Sequence, residues 1–142
     1  MFGVVLAAVV FSAGACDFTA AQTVVNDVNA HRVVAREQAL TVDPQLTAVA
    51  MDRAADLVRR RYFAHISPDG TTALDALRSR AYAYGYAGEN LAEAQTAAAA
   101  QLALWGSPEH RDNMLERHYR RIGVAVVHTP LDGDLIVQIF SD

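Results

Sequence analysis

The chain has 142 residues, a formal net charge of -4 and a sequence pI of about 5.7. That length suits one domain with one core, and the acidic balance removes the electrostatic case for nucleic-acid binding. The single cysteine, Cys16, excludes an intramolecular disulfide, so the fold must hold by packing alone.

The apolar run from Phe2 to Ala15 is shorter than the roughly 20 residues of a membrane span and suits an export signal. Ala13-Gly14-Ala15 supplies small residues for cleavage before Cys16. The same bond is where a lipoprotein peptidase would cut, leaving Cys16 as a lipid anchor. Residues 1–16 therefore read as an export signal or lipoprotein signal, with an uncleaved anchor or a buried helix as the plainer alternative, 17–23 as a linker, and 24–142 as the domain. The expected location is extracytoplasmic, secreted or held at the cell envelope. Contact with a membrane is expected only through that N-terminal segment.

A helix is predicted from about Thr23 to Gln38, with Val25, Val28 and Ala35 on one face and Arg32 and Arg36 outside it. Leu40 to Val42 is a connection. Asp43-Pro44 opens a second helix, with aspartate as N-cap and proline in the first turn. Its apolar stripe is Leu46, Ala50, Ala54, Leu57 and Val58, and its charged residues, Arg53 among them, fill most of the remainder. It is expected to end near Tyr62-Phe63. Ser67-Pro68-Asp69-Gly70 is a turn, and Thr72 with Asp75 caps a short helix.

Gly88 to Ala92 reads as a short strand. Thr96 starts a helix that ends at Trp105-Gly106, and Ser107-Pro108 opens another through about Leu115. Ile122 to His128 and Leu135 to Phe140 are β-branched runs flanking Pro130-Leu131-Asp132-Gly133, which predicts a hairpin. Helices followed by an antiparallel pair indicate α+β, with helices on both faces of a small sheet.

Three residues stand out for chemistry. His65 follows a helix C-terminus, where imidazolium is favoured; a bond to the neighbouring turn is the plainer role. His110 falls in the first turn of a helix, where the dipole favours the neutral, metal-ligating ring; capping or packing under Trp105 is the alternative. Glu89 lies in a strand, where a carboxylate needs a histidine, a metal or backbone N–H groups as partner. His31, His118 and His128 have no evident partners. No H-E-x-x-H helix, paired Cys/His spacing, serine elbow or phosphate loop is present.

Five segments in order resemble the CAP superfamily, which includes cysteine-rich secretory proteins, insect venom antigens and plant pathogenesis-related proteins. They are Val25 to Arg32, His65-Ile66-Ser67-Pro68-Asp69-Gly70, Gly88-Glu89-Asn90-Leu91, Trp105 to Leu115, and Gln138-Ile139-Phe140. The pattern is similar to the short bacterial branch, which lacks the disulfides of the eukaryotic members. The resemblance implies a three-layer α-β-α sandwich with a cleft lined by two histidines, matched by His65 and His110, and a glutamate, matched by Glu89. Ser107 stands near the place of a second acidic residue found in many members. Glu109 and Ala81 stand where the family usually has glycine.

Two functions follow as expectations. The first is a non-enzymatic module that binds a divalent cation such as zinc on His65 and His110, with Glu89 orienting a ring or water. A small apolar or lipid ligand, or a cell-envelope component, is the expected partner. The alternative is a metal-dependent, peptidase-like hydrolase in which Glu89 is the catalytic base. A third reading has the cleft only tie loops together.

Overall fold

The computed structural model describes residues 15–129 and 133–142. The expected signal, apart from Ala15 and Cys16, and most of the turn at Pro130 to Asp132 lie outside the described residues. Among those described, no helix is long and apolar enough to cross a membrane.

The elements in chain order are α1 (Phe18–Val34), β1 (Thr41–Val42), α2 (Pro44–Arg60), α3 (Ala73–Ser79), β2 (Ala87–Ala94), α4 (Ala97–Gly106), α5 (Pro108–Met114), β3 (Arg121–Thr129) and β4 (Gly133–Ser141). The sheet order is β1-β3-β4-β2. β3 pairs antiparallel with β4, and β4 with β2, as an α+β reading requires. The short β1 departs from an all-antiparallel sheet, because it runs parallel to β3.

Alternation along the strands divides the core in two. Ile122, Val124, Val126, Ile136 and Phe140 pack with α1 and α4. Ala125, Val127, Leu135, Val137, Ile139 and Leu91 pack with α2 and α3. Helices thus cover both faces of the sheet, giving the α-β-α layers. Gly123 permits the close approach of α2: a Cβ there would lie 2.1 Å from the backbone carbon of Leu46.

The helix starts follow their caps. Asp43 accepts from the backbone N–H groups of Gln45 and Leu46. Thr72 and Asp75 form a reciprocal capping box. Ser107 does not cap α5 through its side chain, so Pro108 alone marks that start.

Two sequence expectations need correction. Residues 17–23 are not a linker: Asp17 caps α1, which begins at Phe18, and the Asp17 N–H donates to the Val126 carbonyl on β3. Arg32 is not outside the helix's buried face. Its guanidinium is fully buried and donates to the carbonyls of Gln38, Met114, Glu116 and Tyr119, tying α1 to the segment after α5.

Candidate functional site

A cleft of about 420 Å³ opens beside β2 and α5, lined by His65, Glu89, Asn90, Glu109, His110, Asp112, Asn113, Glu116 and Tyr119. The structure therefore brings His65, Glu89 and His110 together from three separate segments. Glu89 and Asn90 are successive residues of β2, so their side chains take opposite faces of the sheet and reach opposite helical layers.

On the α2 side, Glu89 is almost fully buried and sits in a clamp. Arg53 Nε donates to Glu89 Oε2 at 2.9 Å, and a terminal nitrogen reaches Oε1 at 3.3 Å. Both side chains are 7% exposed. The same guanidinium donates to the Tyr62 hydroxyl and to the carbonyls of Ala64 and His65. Arg53 thus fixes both the carboxylate and the backbone that carries His65.

His65 Nδ1 lies 2.8 Å from Glu89 Oε1. That bond raises the His65 pKa, against an opposing contribution from burial. Helix α2 ends at Arg60, and the next residue, Arg61, takes the left-handed conformation (φ 53°) while its N–H donates to the Leu57 carbonyl. Past His65, the Ser67 hydroxyl bonds the Asp69 carboxylate and the Thr71 hydroxyl, and the Ser67 N–H donates to the Thr71 carbonyl, closing the expected turn.

His110 enters from the first turn of α5. Burial lowers its pKa, and the neighbouring His65 charge lowers it further. The neutral ring is therefore favoured, through burial and the second histidine. The backbone is secured by Asn90, whose Nδ2 donates to the His110 carbonyl at 3.1 Å. Asn113 Nδ2 donates to Asn90 Oδ1 at 2.8 Å, and the Tyr119 hydroxyl donates to Asn113 Oδ1 at 2.8 Å. Burial pushes the Tyr119 phenol up to about 12, which keeps it a donor.

Glu109 and Asp112 are exposed on the cleft wall. Among the described residues no group of three or more His, Cys, Asp or Glu side chains is placed to hold a metal ion. The remaining histidines do have partners. His31 stacks on Trp105 with ring centroids 3.6 Å apart and faces Asp27. His118 stacks on Tyr86 and bonds Glu116, and His128 bonds Asp134.

The sequence profile of the cysteine-rich secretory protein family, CAP, matches residues 25–140. The chain belongs to the CAP family. This CAP domain is 32% identical over 118 residues to the uncharacterized protein YkwD of Bacillus subtilis, a match covering 82% of this chain and 45% of the relative. The chain thus spans under half the length of that curated relative. An outer surface protein of Borrelia burgdorferi shares the fold at a TM-score of 0.82 and 21% identity, with 91% of this chain and 98% of that one covered. An extracellular SCP-domain protein of Bacillus anthracis aligns at a TM-score of 0.75 and 26% identity, over 87% of this chain and 40% of that one.

Sequence reasoning missed Arg53 as a site residue, yet its position carried a signal. Arg53 falls between Ala50 and Leu57 on the apolar stripe of α2, where a charge must find a partner or leave the core.

Proposed function

We propose that this CAP domain is an extracytoplasmic, non-catalytic binding module whose cleft takes a divalent cation, zinc foremost, on His65 and His110. The observation that carries the reading is the His65–Glu89 bond. A carboxylate on Nδ1 leaves Nε2 as the nitrogen available to the cleft, and this is how proteins orient a ligating histidine. The lowered pKa of His110 suits the same role, whereas at His65, whose pKa is raised by Glu89, the cation must displace a proton. When bound, the cation would act as a charge centre for an anionic or carbonyl ligand, with water completing its shell.

The hydrolase reading fares worse. Both Glu89 oxygens are engaged, by Arg53 and His65, and the carboxylate is 7% exposed. A general base must reach the water it deprotonates. Two histidines also fall short of the three protein ligands usual for catalytic zinc. Phe63 and Ile66, exposed near His65 in sequence though outside the lining of the cleft, are what support an apolar or lipid ligand. The location outside the cytoplasm draws support from the extracellular Bacillus anthracis protein and from the apolar segment ahead of Cys16.

Zinc titration calorimetry tests this. One-to-one binding is expected for the unsubstituted chain and should be lost in both His65→Ala and His110→Ala. Absence of binding in the unsubstituted chain overturns the cation reading. An apolar fluorescent probe that fails to saturate would remove the lipid component.

A further inference from the structure

The amide of Asn90 belongs to a longer chain of side-chain hydrogen bonds that runs from the cleft into the core and out to α1. The Tyr119 hydroxyl donates to Asn113 Oδ1, and Asn113 Nδ2 donates to Asn90 Oδ1. Asn90 Nδ2 donates to Gln138 Oε1 at 3.1 Å. Gln138 Nε2 donates to Gln101 Oε1 at 2.7 Å, and Gln101 Nε2 donates to Asp27 Oδ2 at 2.8 Å. Gln138 is fully buried in β4, and Asn90 and Gln101 are nearly so.

Every bond in this chain points the same way, toward Asp27. Four carboxamides could each turn over and exchange oxygen for nitrogen, and a concerted reversal would keep them bonded to one another. The ionised carboxylate at the end forbids it, because Asp27 accepts and cannot donate. Reversal would also cost the cleft a contact. Asn90 Nδ2 bonds both Gln138 and the His110 carbonyl, so a reversed Asn90 would set its oxygen against the carbonyl oxygen of His110.

We propose that Asp27, outside the cleft, is a positioning residue for it: its acceptor-only carboxylate sets the direction of the amide chain and so the hold of Asn90 on His110. The chain acts chiefly on the His110 wall. His65, on the other wall, is held by Arg53 and the Glu89 carboxylate; the chain meets Glu89 only at its backbone carbonyl, which accepts from Asn113 Nδ2 at 3.4 Å. The inference concerns the placement of His110 and stands without the cation; its consequence for zinc affinity rests on the proposed binding function.

The test uses the cation-free chain and its proton–nitrogen NMR spectra, with Asp27→Asn, Asp27→Glu and Gln138→Met. Asp27 is 43% exposed at its side chain, so substitution there leaves the core packing in place. An asparagine can donate or accept, which makes both chain directions available. In Asp27→Asn the His110 backbone and ring signals and the Asn90 amide signals should double or move by more than a linewidth. The His65 ring signals should stay. Asp27→Glu should restore a single set, and Gln138→Met, which cuts the chain at its middle, should again disturb His110 alone. Unchanged His110 signals in Asp27→Asn overturn the proposal, as does movement of His65 together with His110. Zinc titration of the same variants separates the two claims. Where the unsubstituted chain binds zinc, Asp27→Asn should weaken it about tenfold. A chain that binds no zinc removes the cation reading, and the NMR comparison still decides the role of Asp27.

Discussion

Arg53 holds His65 twice, once through the carboxylate of Glu89 and once through the carbonyl of His65 itself. The ring and its backbone are therefore positioned by a single guanidinium that is itself 7% exposed. An ion pair so buried is sensitive to the loss of either member, because the survivor keeps its desolvation cost without its partner.

Glu89→Gln tests that dependence. The amide preserves the shape and one acceptor oxygen but leaves the Arg53 charge uncompensated. A loss of about 3 kcal/mol is expected in urea unfolding. The double variant Arg53→Met/Glu89→Met should recover much of it, since no buried charge remains. A single-variant loss below about 1 kcal/mol would show that the pair is solvated and contributes as a surface pair does.

Ala81 adopts φ 53°, in the left-handed region that favours glycine. A Cβ there meets the following carbonyl, whereas glycine enters the region freely. Ala81→Gly relieves that strain and adds backbone freedom to the unfolded chain, two effects of opposite sign. The strain is the larger, so a net gain of up to about 1 kcal/mol is expected. A higher Tm in thermal unfolding checks it, and an unchanged or lower one would show that the local backbone pays no penalty for alanine.

Asp69 gives the turn after His65 an acid dependence. Its carboxyl is lowered from 3.8 to about 2, first by the Ser67 hydroxyl and then by Arg60. A depressed folded value stabilises the fold above the unfolded value and loses that contribution as pH falls. The unsubstituted chain should lose stability between pH 3.8 and about 2 more steeply than Asp69→Asn. Denaturant midpoints at a series of acidic pH values supply the comparison. Parallel curves for the two proteins would mean that the turn forms no better with the charge than without it.

The layers of this fold were legible because their signals are local. Asp43-Pro44, Thr72 with Asp75, and the β-branched runs of β3 and β4 each announce an element within a few residues. Arg32 and Arg53 were harder, although both lie on apolar stripes. Arg32 follows Val25 and Val28 at helical spacing, as Arg53 follows Leu46 and Ala50. Residue type argued for solvent while position argued for burial. The partners that decide the matter lie 82 to 87 residues away for the carbonyls of Met114, Glu116 and Tyr119, and 36 away for Glu89. The start of α1 was obscured differently. Phe18 is exposed and only the small Ala20 and Ala21 of the first turn pack on the core, so the apolar stripe is weak there and Asp17 is the clearer mark.

Gly88 lies against Tyr119 and Asn113, and its replacement tests how tightly that side of the cleft is packed. A Cβ at Gly88 would lie 2.4 Å from the Tyr119 hydroxyl oxygen and 2.6 Å from Asn113 Oδ1. Those two atoms form the first bond of the amide chain. Gly88→Ala must therefore push Tyr119 and Asn113 away from β2, at a cost of about 1–3 kcal/mol for overpacking. Displacing Asn113 also loosens its bond to Asn90, so the His110 wall should shift as stability falls. Tyr119 is stacked on Phe140 at 5.3 Å, which limits how far the ring can retreat. Adding Tyr119→Phe to Gly88→Ala removes the atom in closest conflict and should return part of the lost stability. No recovery in that double variant would mean that Asn113 alone sets the space at Gly88.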